Sequence, residues 1–301
     1  MRQLFWADRG QSLSLDHRAD EGAVSACMGA ARLGSLQTSG AAFTVWLQLR
    51  GSSWVEAKEG KFRLHRGEWI AFEKESRPLV QAGRDGLCIG VSLDAEALRT
   101  LGELADCGLY AGRGRTTRHE ARVALRLWRD GAQLNSGVQS LRPILLHLAS
   151  LQRELLDSVQ RCPGRSRSRK RQVFGRMQRA RLYLEGNSHR VVRIGELAEL
   201  TNFSSWYLSK TFQSLYEESP QALSARLRLE RAAQLLRDTD MMIGEVASAS
   251  GFDNCCSFAR AFRAHFGTTA SRYRDAAAAN LPPESAKSKG DSRKTSAAGR
   301  T

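Results

Sequence analysis

The chain has 301 residues, of which 42% are hydrophobic and 26% charged, and a formal net charge of +15. That length favours two domains, and the composition is that of a folded protein, which excludes a chain disordered throughout. The charge is uneven: residues 161–275 hold 20 Lys and Arg against 11 Asp and Glu, while 1–160 and the last 26 residues each carry a net +3. A polyanionic partner is therefore expected for the second half, although a solvated basic face accounts for charge alone equally well.

The start, MRQLFWADRG, lacks a basic-then-apolar leader, and no apolar run approaches about 18 residues, so a cytoplasmic protein without a membrane partner is expected. The six cysteines, at positions 27, 88, 107, 162, 255 and 256, form no CxxC pair and read as reduced thiols. From Phe43 to Leu93 the segments FTVWLQL, SWVEAK, KFRLHRGEWIAF and LCIGVSL are punctuated by glycines at 51, 60, 67 and 86. This pattern predicts successive antiparallel strands joined by tight turns.

Helical spacing begins at DAEALRTLGEL, with Asp94 as a cap, and continues from about Thr116 to Leu134. Leu141, Ile144, Leu145, Leu148, Leu151 and Leu155 then recur at steps of three and four, predicting one helix to about Val159 with Pro143 in its first turn. Two partners fit this apolar stripe equally: the strands of 43–93, or the same stripe on a second copy. The expected homodimer takes it as a subunit interface. CPGRSRSRKR, at 162–171, lacks apolar periodicity and marks a basic linker, and the stretch from 280 has almost nothing to bury and reads as a disordered tail.

Between Val191 and Arg274 lies an imperfect repeat with an offset of about fifty residues. Ile194-Gly-Glu-Leu-Ala198 answers to Ile243-Gly-Glu-Val-Ala247, Leu208 to Phe258, and Phe212 to Phe262. Each copy pairs a short helix carrying a small Ala with a second helix whose apolar residues are four apart, as a helix-turn-helix requires. Asn202 and Gly251 stand where a left-handed turn is needed, and Ser204 and Asn254 or Asp253 supply capping oxygens. A second helix so placed offers its outer residues to the major groove. Those are Ser205, Trp206, Ser209 and Lys210 in the first copy, and Cys255, Cys256, Ala259, Arg260 and Arg263 in the second. Arg260 is the expected guanine reader, since a guanidinium bonds O6 and N7 together. Small side chains fitting the groove explain Cys255 and Cys256 better than thiol reactivity does. The intervening PQALSARLRLERAAQLLRD predicts a helix of about 17 residues, roughly 25 Å long, able to hold the copies about one DNA turn apart.

At these residues the chain resembles the AraC/XylS family. The match runs through Arg228-Leu229, Ala232, Leu235-Leu236, Ile243, Ala247, Gly251-Phe252, Phe258, Arg260, Phe262, Phe266-Gly267 and Tyr273-Arg274, with Glu217 and Ala270 where the family usually has Gly and Pro. The resemblance implies an α+β chain: a cupin-like β-barrel with helices over 1–160, a linker at 161–172, and an all-α DNA-binding domain over 173–279. That domain holds two tandem helix-turn-helix units joined by a long helix. It implies a transcription regulator, an activator among its roles, with double-stranded DNA, RNA polymerase, a small-molecule effector and a second copy as partners.

Trp46, Trp54, Trp69 and Phe72 are candidate lining for an effector pocket, with core packing the stronger reading for most of them. The six histidines, at 17, 65, 119, 147, 189 and 265, are far apart, so no metal, cofactor or catalytic residue is expected. A cupin-type enzyme fused to a DNA-binding module is the alternative class, and a non-specific architectural binder a third.

Overall fold

The computed structural model describes residues 2–17, 26–74, 76–105, 109–133, 138–152 and 154–279; the expected disordered tail and Cys107 lie outside the described residues. Contacts divide the chain into two compact units, Met1–Leu227 and Arg228–Thr301.

The first unit opens with strands β1 (Arg2–Ala7), β2 (Ser12–Asp16), β3 (Ala26–Arg32), β4 (Ser35–Ser39), β5 (Phe43–Arg50), β6 (Ser52–Ala57), β7 (Gly60–His65), β8 (Glu68–Glu73), β9 (Leu79–Ala82) and β10 (Leu87–Leu93). Helix α1 (Ala95–Ala105), strand β11 (Gly112–Arg115) and helix α2 (Arg118–Gln133) follow. The strands form a six-stranded sheet, β1-β3-β10-β5-β8-β11, and a five-stranded one, β2-β4-β9-β6-β7. Both orders are open, so the expected closed barrel is not found; among the described residues no ladder joins the two sheets.

The glycines explain the difference. Gly60 closes a simple hairpin between β6 and β7, but Gly51, Gly67 and Gly86 each stand where the chain leaves one sheet for the other. A glycine marks the turn but not the sheet that receives the next strand. Trp46, Ile70 and Phe72 of the larger sheet share one core with Val55, Phe62, Leu64 and Val80 of the smaller. On the larger sheet's other face Phe43, Val45, Leu47, Ile89 and Val91 share a second core with Ala97, Ala124 and Trp128 of the helices. With both faces covered, β5 and β10 read as continuous apolar runs instead of alternating ones.

Asp94 caps α1 by accepting from the Ala97 N–H at 2.7 Å. Thr117 and Glu120 cap α2 reciprocally, the Thr117 N–H donating to Glu120 at 2.7 Å and the Glu120 N–H to Thr117 at 3.2 Å. The leucine stripe departs from expectation twice. The single helix to Val159 is two, α3 (Arg142–Leu151) and α4 (Glu154–Arg161), with Pro143 in the first turn of α3. Leu141, Ile144, Leu145 and Leu148 belong to the core on the helical face of the larger sheet, and Leu151 packs against it, while Leu155 packs against a different core. The stripe is therefore covered within the chain, and the subunit interface expected there is corrected to a sheet–helix interface.

Helix α5 (Arg167–Gly186) begins inside the basic stretch, capped by Ser166, so the second half of the expected linker is helical. Then come α6 (Ile194–Thr201), α7 (Ser205–Tyr216), α8 (Pro220–Asp238), α9 (Ile243–Ala249), α10 (Cys255–Phe266) and α11 (Ala270–Ala279). Val173, Phe174 and Met177 of α5 form a core with Leu197 of α6, Leu208 and Phe212 of α7, and Leu223 at the start of α8. In the second unit Leu229, Ala232 and Leu236 of α8 form another with Val246 and Ala247 of α9, Phe258 and Phe262 of α10, and Ala270. Among the described residues no helix is long and apolar enough to cross a membrane.

Candidate nucleic-acid interface

Each short helix of the repeat starts on the same device. Glu196 accepts from the Arg193 N–H at 2.9 Å and Glu245 from the Met242 N–H at 2.8 Å, which explains the repeated Ile-Gly-Glu. The turns that follow use a left-handed residue, Asn202 at φ 52° and Gly251 at φ 73°. The second helices are capped by Ser204, accepting from the Tyr207 N–H at 3.2 Å, and by Asn254, accepting from the Ser257 N–H at 2.8 Å. Of the two caps open at the second turn, the structure takes Asn254. Leu208 and Phe212 on α7, and Phe258 and Phe262 on α10, are fully buried, which fixes the face each helix turns outward.

On α7 Ser205, Trp206 and Lys210 are exposed and Ser209 is half-buried. Trp206 is 70% exposed, and the Lys210 Nζ lies 4.9 Å from its ring centroid, a cation–π contact that holds both side chains together. On α10 Cys255, Cys256, Arg260 and Arg263 are all exposed. Sequence reasoning missed Gln213, which is exposed one turn beyond Lys210. Spacing alone finds it: Trp206, Lys210 and Gln213 follow steps of four and three, as do Cys256, Arg260 and Arg263 fifty residues on. The two helices thus present matching outward rows, one neutral-to-basic and one with two guanidiniums.

The scaffolds behind these rows are polar and paired. Arg190 donates to Glu196 at 2.7 Å and to the Tyr183 hydroxyl at 3.0 Å, tying the end of α5 to α6. The Arg190 hydrogen bond holds the Glu196 carboxyl at about 2, well below the usual range. In the second unit Arg228 donates to the Gly251 carbonyl at 2.9 Å and its guanidinium lies 4.7 Å from the Phe252 ring. Arg231 reaches the Ala249 carbonyl at 3.2 Å, and Arg274 the Met241 carbonyl. These arginines hold turns together and leave Arg260 and Arg263 as the outward cations of α10.

Of the candidate effector-lining residues, Trp46 and Phe72 are buried between the sheets, and Trp54 is 52% exposed with Arg63 over its ring. Trp69 lines a cavity of about 680 Å³ beside Arg113, Arg115, Leu151 and Arg181. A second cavity, of about 760 Å³, is lined by Thr38, Thr44, Glu73, Ser76 and Arg77.

Residues 197–276 match the model of a family described as a helix-turn-helix domain. "Probable transcription factor PqrA" of Proteus vulgaris is 30% identical over 84 residues, which cover 28% of this chain and 69% of that protein. "HTH-type transcriptional regulator GbdR" of Pseudomonas aeruginosa is 39% identical over 84 residues, but this chain spans only 23% of its length. Among solved structures, "a probable AraC family transcriptional regulator from Rhodopseudomonas palustris CGA009" is 34% identical, with 34% of this chain and 96% of that one covered and a TM-score of 0.32. The DNA-binding domain of AdpA in complex with a target DNA is 24% identical, covering 36% of this chain and 96% of that one at a TM-score of 0.34. On the sequence match across both helix pairs, the chain belongs to the AraC/XylS family.

Proposed function

We propose that this chain is a sequence-specific DNA-binding transcription regulator of the AraC type, whose two helix pairs are tandem helix-turn-helix units reading adjacent major-groove segments through α7 and α10. The observation that carries this is the pair of matching exposed rows, Trp206-Lys210-Gln213 and Cys256-Arg260-Arg263, on helices with the same caps and the same buried anchors. Ser205 and Cys255 flank the rows at the helix starts, where the groove is entered, and Ser209 lies beside Lys210 on α7. The relatives named above carry names of transcriptional regulators or factors, which supports regulation over the enzyme alternative.

The β-rich region is the control domain in this reading, a two-sheet relative of the cupin-like effector domains, with a small molecule as effector, a second copy and RNA polymerase as partners and the cytoplasm as its place. Selection from random DNA with the purified chain, followed by competition with unrelated DNA at physiological salt, tests it. A selected site bound at least about 10³-fold more tightly than unrelated DNA is expected. Equal competition by any duplex would make the chain an architectural binder instead.

A further inference from the structure

Helix α5 belongs to two cores at once. Phe174, Met177 and Leu184 lie in the core of the first helix pair, whereas Leu182 is buried between the two sheets. Next to Leu182 the helix meets the turn between β6 and β7 backbone to backbone. A Cβ on Gly60 would overlap the Gly186 carbonyl, and one on Gly186 would lie 2.5 Å from the Glu59 carbonyl oxygen. Asn187 Nδ2 donates to that same carbonyl at 2.9 Å. The docking therefore has one apolar anchor and a side-chain-free contact that only glycines allow.

Beside it sits an ion pair between a buried carboxylate and a partly buried guanidinium, the Arg179 side chain being 17% exposed, with the buried Glu73 carboxylate close to both. Arg179 Nε donates to Glu59 Oε1 at 2.9 Å, and Ser76 Oγ donates to the same oxygen at 2.8 Å; Glu59 is 1% exposed. The pair is incomplete, because Glu59 Oε2 and Arg179 Nη2 are both buried without a hydrogen-bond partner among the described residues. Removing two charges from water costs several kcal/mol per ion and is recovered only when the remaining polar atoms are satisfied. A pair with an orphan atom on each side recovers less of that cost than a fully satisfied one and is correspondingly easier to open. Ser76, its third member, also lines the cavity of about 760 Å³, so the cluster is reachable from outside the core.

We propose that Glu59 and Arg179 form a releasable latch: closed, it holds the end of α5 on the turn between β6 and β7; open, it frees residues 183–190 from that turn while Leu182 keeps its place in the core between the sheets. As a route of control over DNA reading, the latch rests on the function proposed above, but its opening is measurable without DNA.

Hydrogen exchange of the full chain, read by mass spectrometry, tests it with two variants. Glu59→Gln takes from Arg179 its hydrogen-bonded counter-charge and leaves only the nearby Glu73 carboxylate to face it, so segments 57–62 and 183–190 are expected to exchange at least tenfold faster while β5 and β10 keep their protection. Adding Arg179→Met removes the stranded charge and is expected to restore exchange to within threefold of wild type. Exchange in Glu59→Gln within twofold of wild type, no rescue in the double variant, or an equal loss of protection in β5 and β10 would each overturn the latch. DNA affinity for the selected site, expected to shift at least fivefold in Glu59→Gln, is read separately. A wild-type chain that binds no DNA refutes the proposed function and leaves the exchange result to decide the latch.

Discussion

Replacing Leu148 by Ala is expected to destabilise the β-rich region while leaving the number of subunits unchanged. Leu148 is 6% exposed and belongs to the core that Trp128, Ile144 and Leu145 build on the helical face of the larger sheet. Truncating a buried leucine loses its transfer free energy and leaves a cavity, together about 2–5 kcal/mol. That is a large share of the roughly 5–15 kcal/mol by which a domain is stable. At about 2–4 °C per kcal/mol for a domain of 150–250 residues, a loss near 3 kcal/mol lowers the melting midpoint by roughly 6–12 °C. Leu146, 38% exposed on the same helix, is the internal control, and Leu146→Ala is expected to stay within about 0.5 kcal/mol of wild type. Calorimetry and sedimentation velocity on both variants give the answer. A Leu148→Ala protein that melts with wild type but sediments as a lighter species would refute the packing and restore the stripe as a seam between subunits.

Arg260→Ala is expected to cost about 1–3 kcal/mol at the selected site, roughly 5- to 150-fold in affinity, and to relax preference at one base. Anisotropy titrations against single-base variants check this, and an equal loss on every sequence would identify a phosphate contact. Glu196, held at about 2 from an ordinary 4.5 by its Arg190 hydrogen bond, contributes stability that is present above the ordinary value and lost as pH falls toward 2. The difference in urea midpoint between wild type and Glu196→Gln should therefore shrink between pH 5 and pH 2; a difference constant across this window contradicts the assignment. Among the four cysteines whose side chains are described, iodoacetamide should label the exposed Cys255 and Cys256 first, because burial shields Cys88 and pushes the Cys162 thiol up to about 11. Bound DNA should slow that labelling, and labelling at the same rate with and without DNA would place α10 away from the duplex.

The helix pairs were legible because their signals are local. Asn202 and Gly251 adopt the left-handed turn their residue types favour, and Ser204 and Asn254 cap as their side chains allow. The first four strands were not legible, and β3 shows why. Its sequence ACMGAAR is poor in the residues that favour strands, yet its small side chains are required. Trp46 lies so close to Gly29 and Gly90 that a Cβ at Gly90 would overlap its ring, and Trp46 and Gly90 are direct partners across β5 and β10. A large side chain on one strand thus dictates glycine on another, a pairing that no single segment reveals. The leucine stripe was equally opaque in its own way: periodicity shows that Leu145 and Leu148 must be covered, not by what. In the site, Trp206, Lys210, Arg260 and Arg263 stood out by size or charge, whereas Gln213 shares their spacing without either.

Leu182 sets an order on the making of this molecule. The core between the two sheets includes a side chain that lies more than a hundred residues beyond β8, the strand carrying Ile70 and Phe72. During synthesis at roughly 5–20 residues per second, the sheets emerge many seconds before the residue that seals them, and until then an apolar gap faces solvent. Contacts so distant in sequence also close slowly, since the loop must be ordered before the contact rewards it. A fragment ending near residue 160 would keep that gap for good and should associate through it. The β-rich region is therefore complete only when α5 has been made, and the surface that α5 finally covers is the last of its apolar faces to be shielded.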